Sequence, residues 1–460
     1  MIRNDAWGLP MHGSSDEVVL HNQLVDDYLM FARALPQTME SAALSQAPLT
    51  RCLLAQLFVM AHTTEMLTAA ASLVDSIDSR LLNSREASHL EAARRQIRGD
   101  SKGSSEVLEA LVSKTPRDVV ALRLLHFSLF GQGRITDMVR SVTEATNGWD
   151  AHLPRKSLLD GMRCFALCEA KDFNSGEVFG RDAVAEDPQD LWSVHAVAHV
   201  LEMTGRWASG VDWIRASELA LRSGGSFAGH LWWHLALYLL ESGRHDEALE
   251  IFDQFVYPTP VVEGLALSNA VALLCRLEFL GVDVGQRWEQ LTHGVTYRLG
   301  HHSHPFNDCH YAYALGRLHR DDDLQTLLSG MERWAQDGNG GHAGQVIDSC
   351  GTAVARGMGA LGSGQYQLAH SHLAESAGSW WRLGGSAAQR DVFDQALLSA
   401  EINCGSDAAA KHAEARSAQR PNSPLAKIWW AIALGKTDAA VSSLKADAVA
   451  LGWVSSPNGK

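Results

Sequence analysis

A chain of 460 residues is longer than one compact hydrophobic core usually serves, which predicts several domains or an elongated repeat array. Its hydrophobic content of 46% is ordinary for a folded soluble protein, and its formal net charge of −14 disfavours a nucleic-acid-binding surface. No window approaches about 18 uninterrupted apolar residues, and the first residues, MIRNDAWGLPMHG, do not resemble a signal peptide, so we expect a cytoplasmic protein with neither a nucleic-acid nor a membrane partner.

Internal repetition is the strongest signal along the chain. Residues 167–190 contain a small-residue turn, an aromatic residue, an amphipathic helix and a closing Asp-Pro, which is typical of a helix–turn–helix unit of tetratricopeptide type. The turn and second helix recur at residues 240–255 and 360–380, with a weaker copy at 433–444. Because helical periodicity dominates and β-branched alternation is scarce, the sequence predicts an all-α fold.

A single hairpin of this type cannot bury its apolar stripe, so neighbouring hairpins must stack. We therefore predict an α-solenoid of stacked tetratricopeptide-like hairpins curved around a central groove or pocket. Residues 1–150 are expected to form divergent N-terminal repeats, residues 151–334 the central repeats, and residues 335–460 the C-terminal repeats. The loop-like segment AQDGNGGHAGQ at residues 335–345 marks a hinge or boundary between the last two.

Pairs of histidines at helical spacing distinguish the central repeats. The segment SVHAVAHVLEMTGRW carries His195 and His199, and GHLWWHLALYLLESGR carries His230 and His234. Aligning the two segments by the glycine turn that follows each helix places His195 over His234 and His199 over Tyr238. A third segment, HYAYALGRLHR, has His310 at the position of His195. Equivalent positions on stacked first helices face one direction, so we expect these imidazoles to converge on one groove.

Other polar and aromatic residues are predicted to complete this groove. Asp308 precedes His310 and is a candidate to orient its ring, while Trp233 and Phe306 supply aromatic walls. The segment GGSAAQRDVFDQALL places Gln389, Arg390 and Asp391 at the start of a helix. These three residues form either a cap with an ion pair or a clamp on a polar ligand, in which Arg390 holds an anionic group.

The histidines have several interpretations that the sequence leaves open. They are core residues, acid–base groups poised near neutral pH, or ligands, since two histidines four apart on a helix can share one zinc ion. Neither pair has the intervening glutamate of HExxH, and the chain has no CxxCH for covalent haem attachment, so the metal and any cofactor stay unknown.

The chain resembles the tetratricopeptide repeat protein 38 family. The similarity covers nearly the whole chain and rests on HAVAHVLEM, HLWWHLALYLLESGRHDEAL, HPFNDCHYAYAL and GGSAAQRDVFDQALL. It implies a cytosolic helical-repeat fold but no settled reaction, and it places the histidine pairs, Asp308, His310 and residues 389–391 on the family's motifs. A departure occurs in RLLHFSLFGQGR, where the residue after the histidine is usually acidic and here is Phe127.

The expected function is therefore an interior pocket that binds a small polar or aromatic molecule and can act on it by acid–base chemistry. The candidate catalytic residues are His195, His234, His310 and Asp308. The candidate ligand-binding residues are His199, His230, Trp233, Tyr238, Phe306, Gln389, Arg390 and Asp391. The alternative is a non-catalytic interaction scaffold whose partner is a peptide or a second copy of the chain.

Overall fold

The computed structural model of the protein describes residues 1–150, 152–336 and 340–435. Helices form nearly all the regular structure of these residues, so the predicted all-α fold is confirmed for them. The exception, which the helical periodicity did not predict, is an antiparallel hairpin of β1 (Ile2–Asn4) and β2 (Pro10–His12). Within the described ranges, no helix is long and apolar enough to cross a membrane. The weak repeat copy at residues 433–444 lies almost entirely outside them.

The helices follow one another with short turns along the whole described chain. The N-terminal helices are α1 (Ser15–Leu29), α2 (Leu35–Ala42), α3 (Pro48–Met60), α4 (Thr64–Asp75), α5 (Ser84–Ile97), α6 (Ser101–Lys114), α7 (Val119–Gly131) and α8 (Ile135–Ala145). The central helices are α9 (Ser157–Glu169), α10 (Phe173–Glu186), α11 (Leu191–Met203), α12 (Trp207–Ala216), α13 (Glu218–Ser223), α14 (Phe227–Glu241), α15 (His245–Ile251), α16 (Gly264–Phe279), α17 (Arg287–Tyr297), α18 (Pro305–Arg317) and α19 (Asp321–Gln336). The C-terminal helices are α20 (Gly341–Val346), α21 (Thr352–Gly362), α22 (Tyr366–Ser376), α23 (Ala387–Asn403), α24 (Ala409–Gln419) and α25 (Pro424–Ala433).

Shorter helical turns join or extend these helices. The 3₁₀ turns are Ser79–Leu81, Thr146–Gly148 and Ala377–Leu383, and the π-helical turns are Phe252–Val256 and Ile347–Gly351. Two of these turns directly extend α15 and α20. The described helices thus vary locally at their ends.

Local sequence explains where the central helices begin and end. The Asp190 carboxylate accepts hydrogen bonds from the backbone N–H groups of Trp192 and Ser193, which caps the start of α11. The turns after α11 and α14 contain Gly205 and Gly243, both with a φ of 68°. Since glycine adopts this left-handed conformation without strain, both positions end a helix, as the glycine-containing turns predicted.

Helices α11 and α14 lie in the interior of the molecule. Every residue of α11 except Met203, and every residue of α14 except Gly229, is buried. Helix α14 packs against α11 on one side and α16 on the other. A helix that is apolar on nearly all its faces must be buried in this way, so the histidines of α11 and α14 are held inside the protein.

Contacts from both ends of the described chain cover the central helices. Arg276 on α16 donates a hydrogen bond to the Ala388 carbonyl of α23 (3.0 Å), and Ser423, which caps α25, donates to Glu241 of α14 (2.8 Å). From the N-terminal side, the Ala61 carbonyl accepts a hydrogen bond from Arg298 (2.9 Å). The inner faces of α14 and α16 are consequently buried by other helices and do not line an open groove.

Candidate functional site

The two histidine pairs meet across the contact between α11 and α14. His195 and His199 lie one turn apart on α11, and His230 and His234 lie one turn apart on α14. The ring centroids are 5.0 Å apart for His195 and His230, 5.4 Å for His195 and His234, and 4.6 Å for His199 and His234. The sequence-based alignment thus identified two pairs that the structure brings together. We call these four residues the imidazole cluster.

The imidazole cluster presents four nitrogens to one point in the interior. Each residue offers one ring nitrogen, and these nitrogens all lie within 4.8 Å of one another. The closest pair is His195 Nε2 and His199 Nε2, at 2.9 Å. All four residues are between 0 and 4% exposed. The arrangement is therefore compact, convergent and shielded from solvent.

Hydrogen bonding leaves much of this cluster unsatisfied. The Nδ1 atoms of His195 and His199, and both ring nitrogens of His234, have no hydrogen-bond partner among the described residues. His230 differs, because its Nδ1 donates to the Asn269 side-chain oxygen at 3.1 Å. That bond places the proton on Nδ1 and leaves the lone pair of Nε2 free. Buried nitrogens without partners lose hydration without compensation, so the cluster has unused binding capacity.

Burial sets the protonation state of these imidazoles. It lowers the pKa of His199 to about 3 and that of His230 to about 4. The pKa values of His195 and His234 are also well below the usual value, chiefly through burial and further through the neighbouring imidazoles. All four rings are neutral at pH 7. They can serve as metal ligands or as bases, and they carry no proton to donate as imidazolium acids.

Aromatic rings enclose the imidazole cluster. The Trp233 ring stacks on His230 with centroids 5.2 Å apart, and Phe165 stacks on His195 at 5.6 Å. Trp192 lies 5.1 Å from His195. Trp233 therefore lies at the site, as the sequence analysis predicted. Apolar walls of this kind exclude water and strengthen electrostatic interactions inside.

Tyr238 has a structural contact that differs from its predicted ligand-binding role. Its hydroxyl donates to the Ala198 carbonyl of α11 at 2.7 Å, and its ring packs over Gly210, where an added Cβ would lie 2.6 Å from the ring. The ring is 6.4 Å from His234. Tyr238 therefore joins α14 to α11 and α12, next to the imidazole cluster.

The structure does not bring His310 into the imidazole cluster. His310 Nδ1 donates to the Phe306 carbonyl at 2.8 Å, and its ring lies 4.5 Å from Phe306 and 5.4 Å from Phe393. The prediction that Asp308 orients His310 is wrong, because Asp308 contacts His302 Nδ1 at 3.3 Å. Residues two apart on an α-helix point in nearly opposite directions, so these two side chains cannot meet.

Residues 389–391 also lie apart from the imidazole cluster. Gln389 forms a capping box with Ser386 at the start of α23, and Arg390 donates to the carbonyls of Gly384 and Gly385. Asp391 forms ion pairs with Arg416, at 2.7 and 2.8 Å. Gln389 therefore supplies a helix cap, and Asp391 forms an ion pair, as in the cap and ion-pair interpretation of this segment. The partner of Asp391 is Arg416 and not Arg390.

Arg390 and Asp391 line an open cleft of about 530 Å³ at α23 and α24. The remaining residues of its lining are Ala377, Trp380, Ala387, Asp394, Leu397, Glu401 and His412. No member of the imidazole cluster contributes to it. The predicted site residues are thus divided among the imidazole cluster with its neighbours Trp233 and Tyr238, the Phe306–His310 contact, the Asp308–His302 contact, the Gln389 cap of α23 and this cleft.

Two residues beside the imidazole cluster escaped the sequence analysis. Asn269 follows His230 by 39 residues, the same interval that separates His195 from His234, so the repeat length could have identified it. Arg123 lies in the apolar run VVALRLLHFSLF of α7, where a charged residue is unexpected. No protein-family model matches this chain.

Proposed function

We propose that this protein binds one transition-metal ion through His195, His199, His230 and His234. The observation that carries the proposal is the convergence of four buried ring nitrogens within 4.8 Å of one another. Metal–imidazole bonds of about 2.0–2.1 Å place the nitrogens of a tetrahedral site roughly 3.4 Å apart. The separations in the imidazole cluster, from 2.9 Å upward, bracket this value, so small ring movements are sufficient.

The chemistry of the donors favours a borderline metal. Imidazole nitrogens suit Zn²⁺, Cu²⁺, Ni²⁺ and Fe²⁺, whereas Mg²⁺ and Ca²⁺ prefer oxygen ligands. Metal binding requires neutral imidazoles, and burial keeps these rings neutral at pH 7. The hydrogen bond from His230 to Asn269 supports the proposal further, since metal-binding histidines commonly donate their second N–H to an oxygen that fixes the ring.

We also propose that the surrounding helices form a tetratricopeptide-like solenoid related to the tetratricopeptide repeat protein 38 family. Two contacts beyond that of Asn269 support a repeat of 39 residues, because Ser268 contacts Asn307 and Glu278 contacts Arg317 at this interval. Such a repeat brings successive first helices side by side, which is how α11 and α14 supply two ligands each. A small molecule that binds at this site would approach the metal through its aromatic surroundings.

Metal titration of chelator-treated protein tests the proposal. We expect Zn²⁺ or Co²⁺ to bind at one equivalent in calorimetry and native mass spectrometry, with Co²⁺ giving the visible absorption of a nitrogen-coordinated ion. His199→Gln and His234→Gln should each weaken binding at least tenfold. His310→Gln is the matched control, because His310 is equally buried but lies outside the imidazole cluster, and it should leave binding unchanged.

Two results would overturn the metal proposal. One is folded native protein that binds none of Zn²⁺, Co²⁺, Ni²⁺, Cu²⁺ or Fe²⁺. The other is unchanged stoichiometry and affinity in the His199 and His234 variants, which would place the ion elsewhere. In both cases the imidazole cluster would be a packing feature of a helical scaffold. Circular dichroism of each variant confirms that the helices are intact.

A further inference from the structure

A buried arginine without a hydrogen-bonded counterion lies beside the imidazole cluster. Arg123 on α7 is 1% exposed, and its guanidinium has no well-aligned hydrogen bond among the described residues, although the Tyr28 hydroxyl lies close to it. An arginine side chain keeps its charge in proteins, and an unpaired buried charge is strongly unfavourable. A protein that retains such a group uses it for something other than stability.

Aromatic rings surround the guanidinium of Arg123. The Cζ atom of Arg123 lies 4.0 Å from the Trp192 ring centroid, 4.6 Å from that of Phe127 and 5.4 Å from that of Phe31. Cation–π contacts of this kind compensate part of the lost hydration. The N–H groups of a guanidinium lie in its plane and have the fork geometry that binds a carboxylate through two parallel hydrogen bonds.

Further polar atoms around Arg123 are also unpartnered. The Tyr28 hydroxyl, both ring nitrogens of His126 and Nε1 of Trp192 are buried and have no hydrogen-bond partner of normal geometry among the described residues. We call Tyr28, Arg123, His126 and Trp192 the Arg123 cluster. Most of the free groups of the Arg123 cluster are N–H and O–H donors. The exceptions are the lone pair on one ring nitrogen of His126 and the lone pairs of the Tyr28 hydroxyl. A set of convergent donors around a positive charge is complementary to an anion.

The carboxylate of Asp190 interacts with Arg123 without forming a hydrogen bond to it. Asp190 acts on Arg123 electrostatically, but its Oδ1 accepts from the N–H groups of Trp192 and Ser193, and its Oδ2 accepts from the Ser193 hydroxyl. Both oxygens of Asp190 are therefore committed to the cap of α11. The guanidinium N–H groups of Arg123 therefore have no carboxylate to hydrogen-bond among the described residues, although Asp190 offsets part of the charge.

We propose that the Arg123 cluster binds the carboxylate of a small organic acid whose apolar body lies among the aromatic rings. Trp192, a member of the Arg123 cluster, and Phe165 both contact the two clusters, since Trp192 lies 5.1 Å from His195 and 5.7 Å from His126, and Phe165 lies 5.6 Å from His195 and 5.8 Å from His126. The carboxylate site itself does not depend on a bound metal.

Phe31 covers one side of the Arg123 cluster. Phe31 is partly exposed, has a φ of 50° and stacks on Phe227 at 4.0 Å while covering Arg123. A positive φ is strained for a phenylalanine and indicates a segment held in place by its surroundings. Phe31 and Phe127 are partly exposed rings that contact Arg123.

Calorimetry and thermal shift with single anions test the proposal. The probes are sodium benzoate, acetate, chloride and phosphate at constant ionic strength. We expect benzoate to bind at one equivalent, acetate to bind more weakly, and the two inorganic anions to bind at least tenfold more weakly than benzoate. Equal binding of chloride or phosphate would overturn the assignment of a carboxylate, and absence of binding by all four probes would overturn the anion site.

Two variants remove the site in different ways. Arg123→Met deletes the charge, and Phe127→Glu supplies an internal carboxylate beside it, so both should weaken benzoate binding at least tenfold. Arg163→Met is the control, because Arg163 also lies over a ring, that of Phe179 at 3.6 Å, but is paired with Asp160. Undiminished benzoate binding by Arg123→Met would overturn the proposal.

The metal and anion sites are separable by experiment. Arg123→Met should retain one equivalent of Zn²⁺, which shows that its fold and imidazole cluster are intact. The imidazole variants His199→Gln and His234→Gln should retain the benzoate site. Failure of the metal proposal therefore leaves the anion test informative, and the reverse is also true.

Discussion

This protein contains two clusters of polar side chains that differ both in their burial and in how their polar groups are satisfied. In the imidazole cluster, four neutral rings converge with several nitrogens unpartnered among the described residues. At α23 and α24, His412 donates to both Glu401 (2.8 Å) and Asp394 (3.1 Å), while Arg416 pairs with Asp391 and Asp394. We call Asp391, Asp394, Glu401, His412 and Arg416 the ion-pair cluster.

The difference separates structural groups from candidate functional ones. In the ion-pair cluster, opposite charges compensate burial, so the pKa of His412 is raised to about 9 and that of Asp391 lies far below its usual range. In the imidazole cluster, burial has no such compensation and lowers every pKa. A polar group that the fold leaves unsatisfied is the better candidate for binding something from outside.

The largest expected effect is an opposite response of the two regions to pH. The histidines of the imidazole cluster have folded pKa values below the unfolded value of about 6.5, so the unfolded chain binds more protons at acid pH. The stability of metal-free protein is therefore fully present above about pH 6.5 and is lost as the pH falls toward about 4. Each of the four rings contributes up to about 1.4 kcal/mol per pH unit, measured by urea unfolding.

The ion-pair cluster should give the opposite slope. Since the folded pKa of His412 is about 9, its contribution is fully present below about pH 6.5 and is lost as the pH rises through about 9. His412→Gln should remove this alkaline loss and leave the acid loss in place, whereas His199→Gln and His234→Gln should reduce the acid loss only. An acid loss unchanged by both imidazole variants would contradict the comparison.

Deleting one arginine from each region should produce changes of different sign. Arg416→Met leaves the buried carboxylates Asp391 and Asp394 without their cation, so the free energy of unfolding should fall by about 3–5 kcal/mol. Arg123→Met removes a buried charge that has no counterion, so ligand-free protein should be equally stable or more stable. Urea unfolding at pH 7 measures both. A large loss of stability in Arg123→Met would show that Arg123 stabilises the fold, as Arg416 does.

Much of the fold could be predicted from the sequence, because helical periodicity and glycine turns are local signals. The histidine pairs were also predictable, since both rings of a pair lie on one helix and the repeat aligns one helix with the next. The contacts of Asp308, Asp391 and Arg123 could not be predicted from the sequence. The Asp391 and Arg123 contacts join different helices, α23 with α24 and α7 with α11, and depend on how those helices pack, whereas the Asp308 contact with His302 depends on the conformation of the turn before α18.

The burial of the predicted groove also depends on how distant parts of the chain pack together. Nothing in the local pattern of residues 386–425 indicates that they contact α14 and α16, yet Ala388 and Ser423 do so through hydrogen bonds. The prediction of a lined groove therefore identified the correct inner face of α11 and α14 but not the helices that cover it. Repeat position identifies which side chains face inward, and long-range packing decides what they meet.

The smallest expected effect concerns the hydrogen bond that orients His230. Asn269→Ala removes the oxygen that accepts from Nδ1, so the ring can turn or change tautomer, and the affinity for Zn²⁺ should fall about 10–100-fold with the stoichiometry unchanged. Asn269→Asp keeps an acceptor and should retain affinity close to that of the native protein. Calorimetry of chelator-treated protein measures both variants.

The chain supplies a closely matched control for Asn269. Asn307 follows Ser268 by 39 residues, just as Asn269 follows His230. The Asn307 side-chain oxygen accepts a hydrogen bond from the Ser268 hydroxyl at 2.9 Å, and Asn307 is also buried. Asn307→Ala therefore removes a comparable buried hydrogen bond that does not reach the imidazole cluster, and it should leave Zn²⁺ affinity unchanged. If both asparagine variants weaken Zn²⁺ binding equally, the loss reflects packing between α16 and its neighbours and not the orientation of His230. A loss confined to Asn269→Ala would show that the repeat positions a hydrogen-bond acceptor for a metal ligand.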